Sequence, residues 1–259
     1  MSKIQSAFQQ GKAFIGFVTA GDPSLEKTEE FILEMVKAGT DLIEIGIPFS
    51  DPIAEGPVIQ KANIRSLSAG VRVSKIFALA ERLRRQIPTP IVFLTYLNPV
   101  FHYGYEGFFK RCQETGVDGV IIPDLPFEEH EEVRNAAQPH GIDLISLIAP
   151  TSEQRIRAIA EAAQGFLYIV SSLGVTGVRS TIETDLAAIV KAARPAANVP
   201  IAVGFGINTP SQASEIAQIA DGVIVGSAIV KIIEKHKEHA GPHIYQYIKE
   251  MKAAITNKS

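Results

Sequence analysis

The sequence predicts an α/β fold, a (β/α)8 TIM barrel with extra helices, on three observations. Eight short apolar runs recur along the 259 residues, each followed by a longer segment of helical periodicity. Strand and helix alternate at the spacing of parallel strands joined by right-handed crossovers. Eight such units in about 250 residues is the usual size of a closed barrel. An open doubly wound sheet is the runner-up, but its dinucleotide fingerprint is missing: the first run leads into GFVTAGDP rather than G-x-G-x-x-G.

Taken in order, the strands are FIGFVT (14–19), LIEIGI (42–47), IVFLTY (91–96), GVIIP (119–123), DLISLI (143–148), FLYIV (166–170), IAVGF (201–205) and GVIVG (222–226). Predicted helices fill the intervals at Leu25–Ala38, Ile76–Gln86, Glu106–Glu114, Glu128–Gln138, Glu153–Ala163, Asp185–Ala193 and Ser211–Ile219, with a final pair after Ala228. Ser152 before Glu153, and Pro210–Ser211 at the head of the seventh, are start signals. No linker or low-complexity tract interrupts the series, so one domain is expected over residues 1–259.

Composition narrows the function. With 46% hydrophobic residues and a mean hydropathy of +0.13, the chain can bury a sizeable core. A net charge of −3, with no basic block interleaved with aromatics, argues against nucleic acid as a partner. Cys112 stands alone, which rules out an internal disulfide and a cysteine-ligated zinc. The six histidines all lie off the predicted strands and show no metal-ligand spacing. The N-terminus lacks a signal-peptide core, and no apolar run approaches the ~20 residues that span a bilayer. A soluble cytoplasmic protein is expected.

In a barrel, chemistry sits at the C-terminal ends of the strands and in the loops that follow. Three of those loops are rich in glycine: SSLGVTG after the sixth strand, GFGINTP at the seventh, and GSAIVKII after the eighth. Glycines also end strands merely because turns need them. Three adjacent loops, with Gly226 and Ser227 leading a helix from Ala228 that Ser227 can cap, read together as a phosphate site made of backbone N–H groups. No lysine lies on a predicted strand or just after one, as an imine-forming aldolase would need.

LIEIGIPFSDPIAEGP (42–57) supplies two carboxylates. Alternation along its strand places Ile43, Ile45 and Ile47 on one face and Leu42, Glu44 and Gly46 on the other. A charge turned into a barrel is costly, and burial would raise its pKa. A carboxyl so raised suits a group that gives and takes a proton near neutral pH. Alternatively Glu44 sits at the rim, hydrated or paired with a cation. Glu55 follows in a loop stiffened by Pro48, Pro52 and Pro57, and it reads equally well as a second catalytic acid or, like Asp51, as a solvated loop acid. Acid–base chemistry on a phosphorylated small molecule is what remains.

At these residues the sequence resembles the tryptophan synthase α-subunit family. FVTAGDP (17–23), DLIEIGIPFSDPIAEGPVIQKA (41–62), TYLNPV (95–100), PDLP (123–126), IAPTS (148–152), YIVSSLGVTGVR (168–179), GFGI (204–207) and GSAIVKII (226–233) follow the family's order over nearly the whole chain. The resemblance implies retro-aldol cleavage of indole-3-glycerol phosphate to indole and glyceraldehyde 3-phosphate. It assigns Glu44 as the acid and base acting on the indole ring carbon and the glycerol hydroxyl. The family's second carboxylate, an aspartate that accepts the indole N–H proton, aligns with Glu55, which keeps the charge and adds a methylene. Phe17, Tyr96, Tyr168 and Phe205 would line or border the indole pocket, or serve as core aromatics. Thr176 would lie in a loop that closes over the substrate. Gly177, Gly206, Gly226 and Ser227 would contact phosphate. The family implies a β subunit as partner, met in part by the loop with Pro48, Ser50 and Pro52. Pyridoxal phosphate belongs to that partner, and no cofactor or metal to this chain. A stand-alone lyase, a weakly active barrel that mainly activates a β partner, and another phosphosugar barrel are the rival readings.

Overall fold

A computed structural model describes residues 2–170, 186–204 and 206–256. Its strands are β1 (Ala13–Thr19), β2 (Leu42–Gly46), β3 (Ile91–Leu94), β4 (Gly119–Ile121), β5 (Asp143–Ile148), β6 (Leu167–Val170), β7 (Ile201–Gly204) and β8 (Gly222–Val225). All pair in parallel with their sequence neighbours, and β8 pairs with β1 to close the barrel. Each predicted strand is present, several ending one or two residues early, where the chain leaves the ladder for the mouth loops.

The first helices in chain order are α1 (Lys3–Ser6), α2 (Leu25–Lys37), α3 (Pro57–Ser68), α4 (Val73–Arg84), α5 (Leu97–Tyr103) and α6 (Tyr105–Thr115). They are followed by α7 (His130–Ala137), α8 (Glu153–Glu161), α9 (Leu186–Ala193), α10 (Pro210–Ile219), α11 (Ser227–His236) and α12 (Gly241–Thr256). The caps follow the sequence signals. The Ser152 side chain accepts the Arg155 N–H, and Thr209 with Gln212 forms a capping box ahead of Pro210. Three helices lack a counterpart in the sequence reading: α1, α3 and α5. Pro57 reads as a turn residue, yet it is the first residue of α3, where its missing N–H is not needed.

Parallel strands alternate between two apolar environments. Outward residues such as Phe14, Ile43, Ile45, Phe93 and Val120 pack against Phe31, Met35 and Phe77 of the helical ring. Inward residues Ile15, Leu42, Val92, Ile121, Ile145, Tyr168, Ala202 and Ile224 fill the barrel, so its lower part is a packed core. Ile4 of α1 joins this inner cluster, its Cδ1 directed at Gly119, the first residue of β4. The short helix thereby plugs the barrel floor. The mouth at the other end is left for chemistry. No helix among the described residues is long and apolar enough to cross a membrane.

Candidate active site

The two-residue period of the strands builds the site. One inward step beyond the core layer, Phe17, Glu44, Leu94, Leu147, Val170 and Gly226 follow Ile15, Leu42, Val92, Ile145, Tyr168 and Ile224, and all six line a cavity at the mouth. The loop after β2 adds Ala54 and Glu55, and α3 adds Ile59. Gly206 and Asn208 close the wall after β7, and Ser227 and Ala228 close it after β8. No lysine, arginine or histidine lines the cavity among the described residues.

Glu44 is 1% exposed, which removes the rim alternative. Its Oε2 has no hydrogen-bond partner among the described residues, and no cation stands beside it. Burial pushes its pKa up to about 8, with the nearby charge of Glu55 as the second cause. Tyr168, in the same cavity, is kept a neutral hydroxyl by its burial and then by the charge of Glu44. Gly204 makes room for it, since a Cβ there would lie 2.7 Å from the Tyr168 hydroxyl.

Glu55 is 7% exposed, so the reading of it as a solvated loop acid is overturned. The helix that sequence reasoning missed is the reason. Ile59, Ala62, Asn63 and Ser66 form the buried stripe of α3 at the i, i+3, i+4, i+7 spacing. That stripe turns inward beside Glu55. Asn63 Nδ2 donates to Glu55 Oε2 at 2.6 Å, and Gln60 Nε2 donates to the Glu55 carbonyl at 2.7 Å. Burial raises the Glu55 pKa to about 7, against the opposing hydrogen bonds from Asn63 and Tyr96. Sequence reasoning missed Asn63 and Gln60. The available signal for Asn63 is a lone amide in an otherwise small and apolar i, i+3, i+4, i+7 series.

The aromatic residues divide. Phe17 and Tyr168 line the cavity. Tyr96 stands one layer back: it is 1% exposed, stacks on Phe49 at 5.3 Å, accepts the Ala54 N–H at 3.2 Å and favours the charged form of Glu55. Phe205, Thr176 and Gly177 lie outside the described residues.

At the opposite wall, Gly206 has φ of 77°, a conformation that only glycine adopts without strain. Asn208 is fixed there: its side chain donates to the Gly206 carbonyl at 2.9 Å, and its own carbonyl accepts from Tyr247 of α12 at 3.1 Å. The helix after β8 starts one residue earlier than expected. Gly226 is its N-cap and Ser227 its first residue, with no side-chain cap bond, so Ser227 is not the cap. The first-turn amides of any helix have no partner within it. Here the residues that carry them, Ser227 and Ala228, line the cavity and suit an anion.

A closed parallel barrel with two buried carboxyls facing an apolar cavity, and an anion-suited helix start on its wall, defines an acid–base enzyme of the (β/α)8 class. Comparison with known proteins then places the chain among its relatives. The family model described as tryptophan synthase alpha chain matches residues 4–256, and the chain belongs to that family. It is 48% identical over 258 residues to the tryptophan synthase alpha chain of Lacticaseibacillus casei, covering 100% of this chain and 97% of the relative. Among solved structures it is similar to tryptophan synthase subunit alpha of Legionella pneumophila, with a TM-score of 0.90, 36% identity and 100% of both chains covered. It also matches a chain in the tryptophan synthase α2β2 complex of Pyrococcus furiosus, with a TM-score of 0.86, 34% identity, and 94% and 99% of the two chains covered.

Proposed function

We propose that the chain is the α subunit of a tryptophan synthase and cleaves indole-3-glycerol phosphate to indole and glyceraldehyde 3-phosphate. The observation that carries the reading is the pair of buried carboxyls, Glu44 and Glu55, in one apolar cavity that no cation lines among the described residues, in a chain with this ancestry. In the proposed sequence, the Glu44 carboxyl protonates the indole ring carbon that bears the glycerol chain. The Glu55 carboxylate offsets the positive charge that then develops at the ring nitrogen, taking the N–H proton. Glu44, now a carboxylate, removes the proton of the neighbouring glycerol hydroxyl. The hydroxyl oxygen becomes a carbonyl, the carbon–carbon bond breaks, and its electron pair returns to the ring. Glu55 gives its proton back to the ring nitrogen, so both carboxyls end as they began.

In this reading the indole lies between Phe17 and Tyr168, with Phe205 beside it. The phosphate rests on Gly206, Gly226 and Ser227, with Gly177 and Thr176 from the loop after β6. The chain carries no cofactor of its own, and pyridoxal phosphate belongs to a β subunit with which it assembles as α2β2 in the cytoplasm. Two exposed apolar residues on the mouth side support a partner there: Ile53 in the loop after β2 is 74% exposed, and Phe101 of α5 is 68% exposed. The test is indole release from indole-3-glycerol phosphate by the purified chain, with and without a tryptophan synthase β subunit. Slow release that rises at least about tenfold with β is expected, an allosteric coupling of ordinary size. Absence of indole under both conditions would defeat the reading, and fast release indifferent to β would remove the partner from it.

A further inference from the structure

We propose that Asn63 is the positioning residue of the second carboxylate, holding Glu55 ionised and aimed into the cavity in place of a cation. The inference rests on the catalytic reading of Glu55 given above. A buried carboxylate needs compensation, commonly from arginine or lysine, and none lines this cavity among the described residues. What meets Glu55 instead is an amide. Asn63 is 3% exposed on the buried stripe of α3, where an unbonded amide would be costly. Its Nδ2 is spent on Glu55 Oε2 at 2.6 Å, short for such a bond and as expected of one to a charged acceptor.

The helix that carries Asn63 is itself anchored on both neighbouring turns. Ser66 Oγ donates to the Ala20 carbonyl at 2.6 Å, and Arg65 grips the buried Asp22 through two bonds of 2.8 and 2.7 Å. Gln60 on the preceding turn holds the Glu55 main chain. One helix thus fixes both the backbone and the carboxylate of Glu55. Glutamate has one more rotatable bond than the aspartate of the family motif, so it has more freedom to lose and more need of such a hold.

The other titratable groups around Glu55 define what Asn63 works against. Glu44 faces it from β2, Tyr96 favours its charged form from the N-cap of α5, and Tyr168 shares the cavity from β6. Asp124, after β4, adds a further negative charge that acts on Tyr96 and accepts the Leu97 N–H at 2.9 Å. All of these that ionise are acids. Removing the Asn63 donor leaves Tyr96 alone to favour the charged form of Glu55, and the carboxyl should hold its proton to higher pH.

The test follows the Glu55 carboxyl by carbon-13 NMR in the full chain, its signal assigned by its loss in Glu55→Gln, alongside kcat/KM against pH for indole release. Asn63→Ala should move the Glu55 titration alkaline by about one pH unit, the size of one hydrogen bond to a charged group. Asn63→Asp, of nearly the same volume, should move it further by setting a second carboxyl against the first. Near pH 7 the alanine change should lower kcat about tenfold with little change in KM, and that loss should vanish in a Glu55→Gln background because the two residues act as a unit. A Glu55 titration unmoved in both Asn63 variants, or a loss of kcat equal in the Glu55→Gln background, would overturn the proposal. If instead the titration moves but no variant or parent releases indole, Asn63 keeps its positioning role and the catalytic reading fails.

Discussion

Replacing Glu44 with glutamine should lower kcat for indole formation by at least about 10³-fold, since one proton-transfer group contributes about 10²–10⁴ and Glu44 serves twice in each turnover. The same variant should fold at least as firmly as the parent. Glu44 holds its proton far more tightly in the folded chain than in the unfolded one, because burial raises its pKa to about 8. A group of that sign leaves the fold most stable while it is protonated in both states. Its contribution falls as pH rises from the ordinary carboxyl range through about 8. Each unit of raised pKa corresponds to about 1.4 kcal/mol, so the penalty above pH 8 is on the order of several kcal/mol. Glutamine cannot ionise and escapes it. Thermal unfolding of parent and Glu44→Gln at pH 6 and pH 9 checks this: the variant's advantage in Tm should widen with pH. A variant that loses stability together with activity would make Glu44 a structural residue.

Glu55→Gln should lower kcat by about 10²–10³-fold, the range of a single general base, with KM nearly unchanged. The substitution keeps an oxygen to accept from Asn63 while removing the charge that would balance the ring nitrogen. Steady-state kinetics of indole release measures it. A loss under about threefold would assign the base elsewhere, whereas a rise in KM at constant kcat would make Glu55 a binding residue only.

The barrel is legible in the sequence because its strands are short apolar runs at regular spacing, and the alternation of Leu42, Glu44 and Gly46 by itself turns one carboxyl indoors. Burial this deep, with no cation partner among the described residues, cannot be read the same way. It depends on Phe17, Leu94, Leu147 and Ile224, which line the same cavity as Glu44 from four other strands. Glu55 stands between two readings in the sequence because its surroundings come from α3, and α3 is hidden behind Pro48, Pro52 and Pro57. Prolines that read as a stiff loop include one that begins a helix. Asn63 escapes notice for the same reason. Tyr96 shows a further limit: the end of a predicted strand is in fact the N-cap of α5, and its side chain faces the Glu55 loop. Ser227 shows the smallest slip, one residue in the start of α11, which changes its role from cap to first-turn donor.

The pH dependence of kcat/KM for indole release from indole-3-glycerol phosphate tests the central claim, that two buried carboxyls share the proton work. This quantity reports the free enzyme's essential acid and base. Activity requires Glu55 ionised and Glu44 protonated, so the profile should be a narrow bell, rising near pH 7 and falling near pH 8. The two limbs belong to the coupled pair, and Glu55→Gln should erase the rising one. A profile flat from pH 6 to 9, or a bell that keeps its rising limb in Glu55→Gln, would contradict the account.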